Sequence, residues 1–385
     1  MNDAPLAEIG VYIHWPYCAR ICPYCDFNVV RERGRDAEKA ALVEAIIADM
    51  AQYARLTGPR RLVSIFFGGG TPSLMTPDAI ARVIEAARGL WTATADLEIS
   101  LEANPTDAES ARFADIAAAG VQRLSLGVQS LDDADLAFLG RNHDSSAASR
   151  AIDIATAAFP RVSVDLIYAL PEQSVAAWRG RLERVIVTGC EHISAYQLSI
   201  EPGAAFSRAV RRGALRPTSD DLAADLFDVT EDTLSGAGYD AYEVSNHARG
   251  NAARSRHNLI YWRGGDYVGV GPGAHGRLTL DGGRVATRAQ ARIGDYLESV
   301  RETGRGATSD RMSCRDVALE RLVMGLRTDE GVACQDLRDL GISAVKLGDL
   351  AAFVMVGDGR LIATRRGRLL LDRVVAELVA DPADD

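Results

Sequence analysis

Six times between Val11 and Ala237 a short apolar run gives way to a helix-forming stretch, and no other feature limits the fold of this chain so sharply. The strand-like runs are Val11–Trp15, Leu62–Phe67, Leu97–Leu101, Arg123–Val128, Val162–Leu170 and His192–Ile200. Between them helices are expected over Asp36–Tyr53, from Thr76-Pro77 to Leu90, over Asp107–Ala119, from Asp132 and Ser146, over Ser174–Val187 and over Asp220–Ala237. Thr76 supplies an N-cap and Pro77 a first helical residue, a pairing that suits a helix start because proline lacks the N–H that would be orphaned there. Strands that alternate with helices pair in parallel through right-handed crossovers. The first 240 residues therefore predict an α/β fold, either an open parallel sheet or a partial barrel.

After Gly238 the pattern changes. Residues 241–300 are rich in glycine, arginine and aromatics without a clean period and read as a connecting region. Arg311–Leu326 is an amphipathic helix, and Leu361–Leu371 alternates like a hairpin around Arg365-Arg366-Gly367-Arg368 before a last helix. The expected division is a barrel over 1–240, the connecting region over 241–300, and a small winged-helix-like α+β domain over 301–385. The arginine-rich hairpin could touch DNA; a packing module with a solvated wing is the favoured reading.

Charge and hydropathy exclude several classes. Forty-three basic against fifty-three acidic residues leave a net charge of −10, which argues against a general nucleic-acid surface. No run reaches the roughly 18 apolar residues of a membrane span, and the first ten residues lack the basic and apolar stretches of a signal peptide. The expectation is a soluble, cytoplasmic protein that meets membranes only through its partners.

Of six cysteines, Cys18, Cys22 and Cys25 crowd into eight residues, while Cys190, Cys314 and Cys334 are scattered and read as buried small hydrophobes. A long chain without a secretory signal is not a disulfide scaffold, so the clustered thiols point to metal or redox chemistry. Three thiolates can hold three corners of an iron–sulfur cube and leave the fourth iron open to a small molecule. Zinc is the alternative, but a structural zinc site wants a fourth ligand, and His14 on the preceding strand is poorly placed for it. Glu102, Gln129, Asp165 and Gln197 lie in or at the ends of successive strands, where side chains of a parallel barrel face one common mouth.

The loop His14-Trp-Pro-Tyr-Cys18-Ala-Arg-Ile-Cys22-Pro-Tyr24-Cys25-Asp-Phe27 resembles that of radical S-adenosylmethionine (SAM) enzymes. The resemblance implies a partial (β/α)6 barrel and a 4Fe–4S cluster on Cys18, Cys22 and Cys25. Its open iron would chelate SAM, and one electron would cleave SAM to methionine and a 5′-deoxyadenosyl radical. Gly68-Gly69-Gly70-Thr71-Pro72 would offer backbone N–H groups to the methionine end of SAM, and Glu102 would accept from the ribose hydroxyls.

The likeness narrows to the oxygen-independent coproporphyrinogen III dehydrogenase group through Phe67-Gly68-Gly69-Gly70-Thr71-Pro72, Arg123-Leu-Ser-Leu-Gly127-Val-Gln129-Ser130, Leu139-Gly-Arg141 and Asp165-Leu-Ile-Tyr-Ala-Leu-Pro171. It implies SAM contacts at Tyr12, Tyr24, Gly69, Gly70, Thr71, Glu102, Gln129, Arg141 and Asp165. Two departures matter. The dehydrogenase carries another cysteine two residues after the third ligand, where this chain has Phe27, and it carries an N-terminal extension.

His257-Asn258-x-x-Tyr261-Trp262 and Gly269-Val-Gly-Pro-Gly-Ala-His275-Gly276 are instead similar to the HemW subfamily. That implies binding of haem as cargo and its transfer to acceptor haem proteins, with an electron donor for the cluster and no catalytic residue for decarboxylation; a homodimer is compatible with it. His257 is the first candidate for haem ligand, ahead of His275, His247 and His143, the alternative being that His257 and His275 hydrogen-bond buried loops or contact SAM. The competing function is radical oxidative decarboxylation of coproporphyrinogen III in haem biosynthesis.

Overall fold

The computed structural model describes residues 6–380; the ends of the first and third expected segments, 1–5 and 381–385, lie outside the described residues. The six apolar runs form β1 (Glu8–Trp15), β2 (Arg61–Gly69), β3 (Thr92–Ala103), β4 (Arg123–Gln129), β5 (Arg161–Tyr168) and β6 (His192–Gln197), parallel and adjacent in chain order. Ile13 pairs with Phe67, Phe67 with Leu101 and Leu101 with Leu124, so one layer of large apolar side chains crosses four strands. These residues are completely buried, as expected for parallel strands covered by crossover helices. The helix starts follow local chemistry: Thr76 Oγ1 accepts from Ala79 N at 3.2 Å beside Pro77, and Asp144 caps the helix Ser145–Ala158 at 2.7 Å.

The segment that showed no period does more than connect. Short strands β7 (Asp240–Ala241) and β8 (Asn246–Ala248) extend the β6 edge antiparallel. At the other edge β9 (Tyr267–Val270) pairs in parallel with β1, from Gly10↔Tyr267 to Ile13↔Val270. Antiparallel β10 (His275–Leu280), β11 (Gly283–Ala289) and β12 (Ala307–Arg311) complete a twelve-stranded sheet among the described residues. The helix Arg256–Trp262 packs on β2 and leads into β9. The expected limit at residue 300 falls inside the helix Ile293–Thr303, whose Ile293, Tyr296 and Val300 belong to the main core. β9 escaped notice because four residues, Tyr-Val-Gly-Val, are too few to display a period.

A second core gathers Leu322, Leu326, Leu337, Leu361, Val374 and Leu378 around a three-stranded sheet. Its hairpin joins Val354–Gly357 to Arg360–Ala363, earlier in the chain than the sequence suggested. Arg365–Leu369 is helical because Thr364 caps it, accepting from Gly367 N at 3.1 Å. Its arginines find partners within the chain: Arg365 pairs with Asp228 at 2.9 Å and Asp232 at 2.6 Å, Arg366 lies over the Phe353 ring, and Arg368 donates to the Ala241 carbonyl. No helix among the described residues is long and apolar enough to cross a membrane.

Candidate functional site

The chain leaves β1 through Pro16 into a two-residue strand, Tyr17–Cys18, paired with Val30–Arg31, and the cysteine loop is the excursion between them. Pairing both ends of the loop pins it against the mouth of the sheet. All three clustered cysteines line one cavity of about 420 Å³ there. The two-residue Cys22–Cys25 spacing closes as a turn, with Cys25 N donating to Cys22 O at 3.2 Å.

Glycine makes the close packing under this loop. A Cβ on Gly70 would stand 2.7 Å from Trp15 O and 2.8 Å from Tyr17 O. Gly70 N donates to Trp15 O at 2.8 Å, Thr71 N to Tyr17 O at 2.9 Å, and Gly69 N to Glu102 Oε2 at 3.1 Å. The N–H groups expected for the methionine end of SAM are thus already engaged, Gly70 and Thr71 because the turn continues the pairing with the first strand and its extension, and Gly69 by the Glu102 carboxylate. What the turn presents near the loop is the Thr71 hydroxyl, 3.6 Å from Cys18 Sγ and accepting from Asn104 Nδ2 at 3.1 Å.

From β3 to β6 the strand ends contribute Glu102, Gln129, Asp165 and Gln197 to the same wall. Gln129 is held at φ 65°, a left-handed conformation unusual for glutamine, where the β4–β5 register slips. Its Oε1 is buried without a hydrogen-bond partner, an acceptor held ready for a donor the protein does not supply. Arg141 donates to Cys22 Sγ at 3.3 Å, Tyr24 Oη at 3.4 Å and Gly127 O at 2.9 Å, and also to Asn104 Oδ1.

Electrostatics in the cavity are those of charges kept from water. Burial, reinforced by the neighbouring Asp165, pushes the Glu102 carboxyl up to about 7 against the Gly69 N–H and Arg123. Burial also raises Asp165, although Ser125 donates to it at 2.7 Å and Ser163 lies 3.3 Å away. Burial pushes the Cys18 thiol up to about 11 and raises Cys25. Arg123, buried on the same wall, is the cation facing both carboxyls. Arg123 and Asn104 were not singled out in the sequence; Arg123 opens β4, at the opposite end from Gln129, and Asn104 follows Glu102 by two residues just past β3.

Two expected site residues do not line the first cavity. Tyr12 shares its sheet face with Phe66 and Glu102 and its ring stacks on Phe66, which lines the first cavity; its hydroxyl meets His14 Nδ1 at 3.1 Å, and it lines a second cavity of about 660 Å³. His257, the first candidate haem ligand, is 1% exposed and lines neither cavity. Its Nδ1 meets Ser64 Oγ at 2.7 Å and its Nε2 meets Tyr261 Oη at 2.6 Å, so no ring nitrogen is free. Burial lowers its pKa to about 3, leaving a neutral imidazole that ties helix to sheet. The motif around it divides: Asn258 lines the first cavity, Tyr261 and Trp262 the second. Phe27 borders both.

Do these residues suit a cluster? Among the described residues no three His, Cys, Asp or Glu side chains form a group that could hold one metal ion. Cys18, Cys22 and Cys25 line one cavity, and three thiolates suit three corners of an iron–sulfur cube.

Comparison with known proteins agrees. Residues 12–185 match the model of the radical SAM superfamily. The chain is 44% identical over 334 residues to bovine "Radical S-adenosyl methionine domain-containing protein 1, mitochondrial", covering 85% of this chain and 74% of that protein. It is 38% identical over 304 residues to "Heme chaperone HemW" of Escherichia coli K12 (77% and 79% covered). With "Heme chaperone HemW" of Mycobacterium tuberculosis H37Rv it shares 36% over 384 residues (97% and 96% covered). The chain belongs to the HemW-like family of radical SAM proteins. Among solved structures, the radical SAM coproporphyrinogen III oxidase HemN of E. coli superposes with a TM-score of 0.80 at 22% identity, covering 98% of this chain and 92% of HemN. That likeness shows a shared fold. Membership in the HemW-like family implies a 4Fe–4S cluster and SAM.

Proposed function

We propose that this chain holds a 4Fe–4S cluster on Cys18, Cys22 and Cys25, binds SAM in the 420 Å³ cavity, and binds haem for delivery to acceptor haem proteins. The observation that carries the first half is the meeting of three cysteines with Glu102, Gln129, Arg141 and Asp165 on one cavity wall. The second half draws on relatives that bear the name heme chaperone and are aligned across most of this chain.

The cluster, when bound and reduced by an electron donor, supplies one electron to the SAM sulfonium. The protein's part is positional. Arg141 sets a positive charge beside the Cys22 sulfur. Only Glu102 Oε2 meets the Gly69 N–H, which leaves Oε1 for a ribose hydroxyl. Gln129 Oε1 is a second acceptor, and Arg123 offsets the two buried carboxyls.

Phe27 weighs against the decarboxylase reading, because it occupies the position at which the dehydrogenase group carries a further thiol. We also place the domain boundary near residue 313, after β12, since the main core reaches Val300 and Ala307 whereas Ala318 begins the second core. The functional reading is tested by anaerobic reconstitution followed by iron and sulfide counting, SAM binding and haem titration. Four irons per chain, SAM binding and saturable haem binding are expected; a colourless zinc protein contradicts it.

A further inference from the structure

The second cavity lies between the cluster loop, the helix Arg256–Trp262, strands β9–β11 and the helix Cys314–Gly325. At about 660 Å³ it falls in the range of small-molecule sites and is walled by aromatic rings, two arginines, two histidines, and the carboxylates Asp26 and Glu320, the latter paired with Arg277. We infer that it is the docking site for haem, with His275 as axial ligand to the iron and Arg288 as partner to a propionate. This rests on the haem-handling reading and gives it an address.

Elimination among the six histidines carries the ligand. His14 is tied to Tyr12 Oη and to the Asn28 carbonyl, His192 to Ser163 and Tyr242, and His257 to Ser64 and Tyr261. His247 Nε2 is bound to Glu231 and His143 Nε2 to the Val128 carbonyl; the other nitrogen of each is buried. His275 alone is exposed, and neither of its nitrogens hydrogen-bonds to a described residue. Burial, Arg288 and Arg277 lower its pKa, so the ring stays neutral, the form that binds iron.

Register carries the carboxylate partner. His275 on β10 pairs directly with Arg288 on β11, which sets their side chains next to each other on one face of the sheet. Arg284 is committed to Asp266 at 2.6 Å, whereas Arg288 is exposed and its guanidinium pairs with no described residue. An unpaired guanidinium beside an unpaired imidazole fits a planar metal macrocycle with an acidic edge.

Apolar cover completes the fit. Phe27 is 63% exposed at the border of the two cavities, and a large ring is left in water there unless something lies on it. Trp262 and Tyr267 form further wall, and the buried indole Nε1 of Trp262 has no acceptor. Haem in this cavity would rest against the cluster loop, with Phe27 between cargo and cluster.

The test is anaerobic titration of the cluster-reconstituted protein with haem, followed by absorption spectroscopy after subtracting the cluster spectrum. Wild type should saturate near one haem per chain with the band of histidine ligation. His275→Ala should bind haem at least tenfold more weakly, lose that band and regain it with added imidazole, while iron and sulfide content stay unchanged. Metal-free protoporphyrin IX should bind wild type and His275→Ala alike. Arg288→Glu should weaken haem several-fold but leave binding of the haem dimethyl ester unaffected. Wild type that binds haem while His275→Ala keeps the same affinity and spectrum overturns this site and leaves the functional reading standing. Wild type that binds no haem overturns both.

Discussion

The guanidinium of Arg141 lies 3.3 Å from the sulfur of Cys22, a residue 119 positions away on the opposite flank of the cavity mouth. The same guanidinium reaches the Tyr24 hydroxyl and the Gly127 carbonyl, so it braces the cysteine loop against the end of β4. Hydrogen bonds and positive charge at cluster sulfurs stabilise the reduced, more negative state. Arg141→Gln should therefore retain the cluster at reduced occupancy and shift its reduction potential to more negative values. Potentiometric titration monitored by electron paramagnetic resonance reads the shift.

The three loop cysteines should behave as a unit and the other three as bystanders. Cys18→Ser, Cys22→Ser and Cys25→Ser should each abolish the cluster. Cys190→Ser, Cys314→Ser and Cys334→Ser should keep a full complement of iron and sulfide, since none of them lines the cavity. Chemical analysis of the six reconstituted variants distinguishes the groups, and a Cys22→Ser protein with four irons would remove the ligand assignment.

Glu102 gives a pH dependence with a definite sign. Its pKa is raised in the folded protein to about 7 from an ordinary value of 4.5. Below both values the carboxyl is neutral in either state and costs nothing. As pH rises past the lower value the unfolded chain ionises first, so the buried carboxyl destabilises the fold increasingly until it ionises near 7. Glu102→Gln should match wild type near pH 4 and gain about 3 kcal/mol by pH 8, measured by denaturant unfolding of the cluster-free protein. The same proton must leave before both oxygens accept hydroxyl hydrogen bonds. SAM binding by the reconstituted wild type should tighten about tenfold from pH 6 to pH 8, and that slope should vanish in Glu102→Gln.

His257 should matter for stability and not for haem. Removing it strands the Ser64 and Tyr261 hydroxyls and leaves a cavity between helix Arg256–Trp262 and β2. His257→Ala should lose about 3 kcal/mol of unfolding free energy while the folded variant keeps wild-type haem affinity. Calorimetry and haem titration on one preparation check both halves.

The main lines of the fold were legible because parallel strands bury both faces and announce themselves as apolar runs, and because helix caps such as Thr76 and Asp144 are local. The cysteine spacing likewise marked the loop, since the three thiols lie within one turn-forming stretch. Less local features were hidden. β9 is short and finds its partner β1 about 257 residues away in sequence, so its pairing leaves no periodic trace. The orientation of His257 depends on Ser64, a residue on another strand, and no pattern within the His257–Trp262 motif reports it. Tyr12 and His14 share one strand face, but only the full structure shows that both side chains border the second cavity. The availability of His275 is a property of what its neighbours fail to offer, which no sequence spacing encodes.

The most direct test of haem handling runs two assays on one anaerobic, cluster-reconstituted, SAM-containing preparation. One follows transfer of haem from the loaded protein to a haem-free acceptor; the other supplies coproporphyrinogen III with a reductant and looks for protoporphyrinogen IX. Haem bound near one per chain and passed to the acceptor, with no protoporphyrinogen formed, is the expected result. Protoporphyrinogen formed in repeated turnovers by a protein that neither holds nor transfers haem would contradict it.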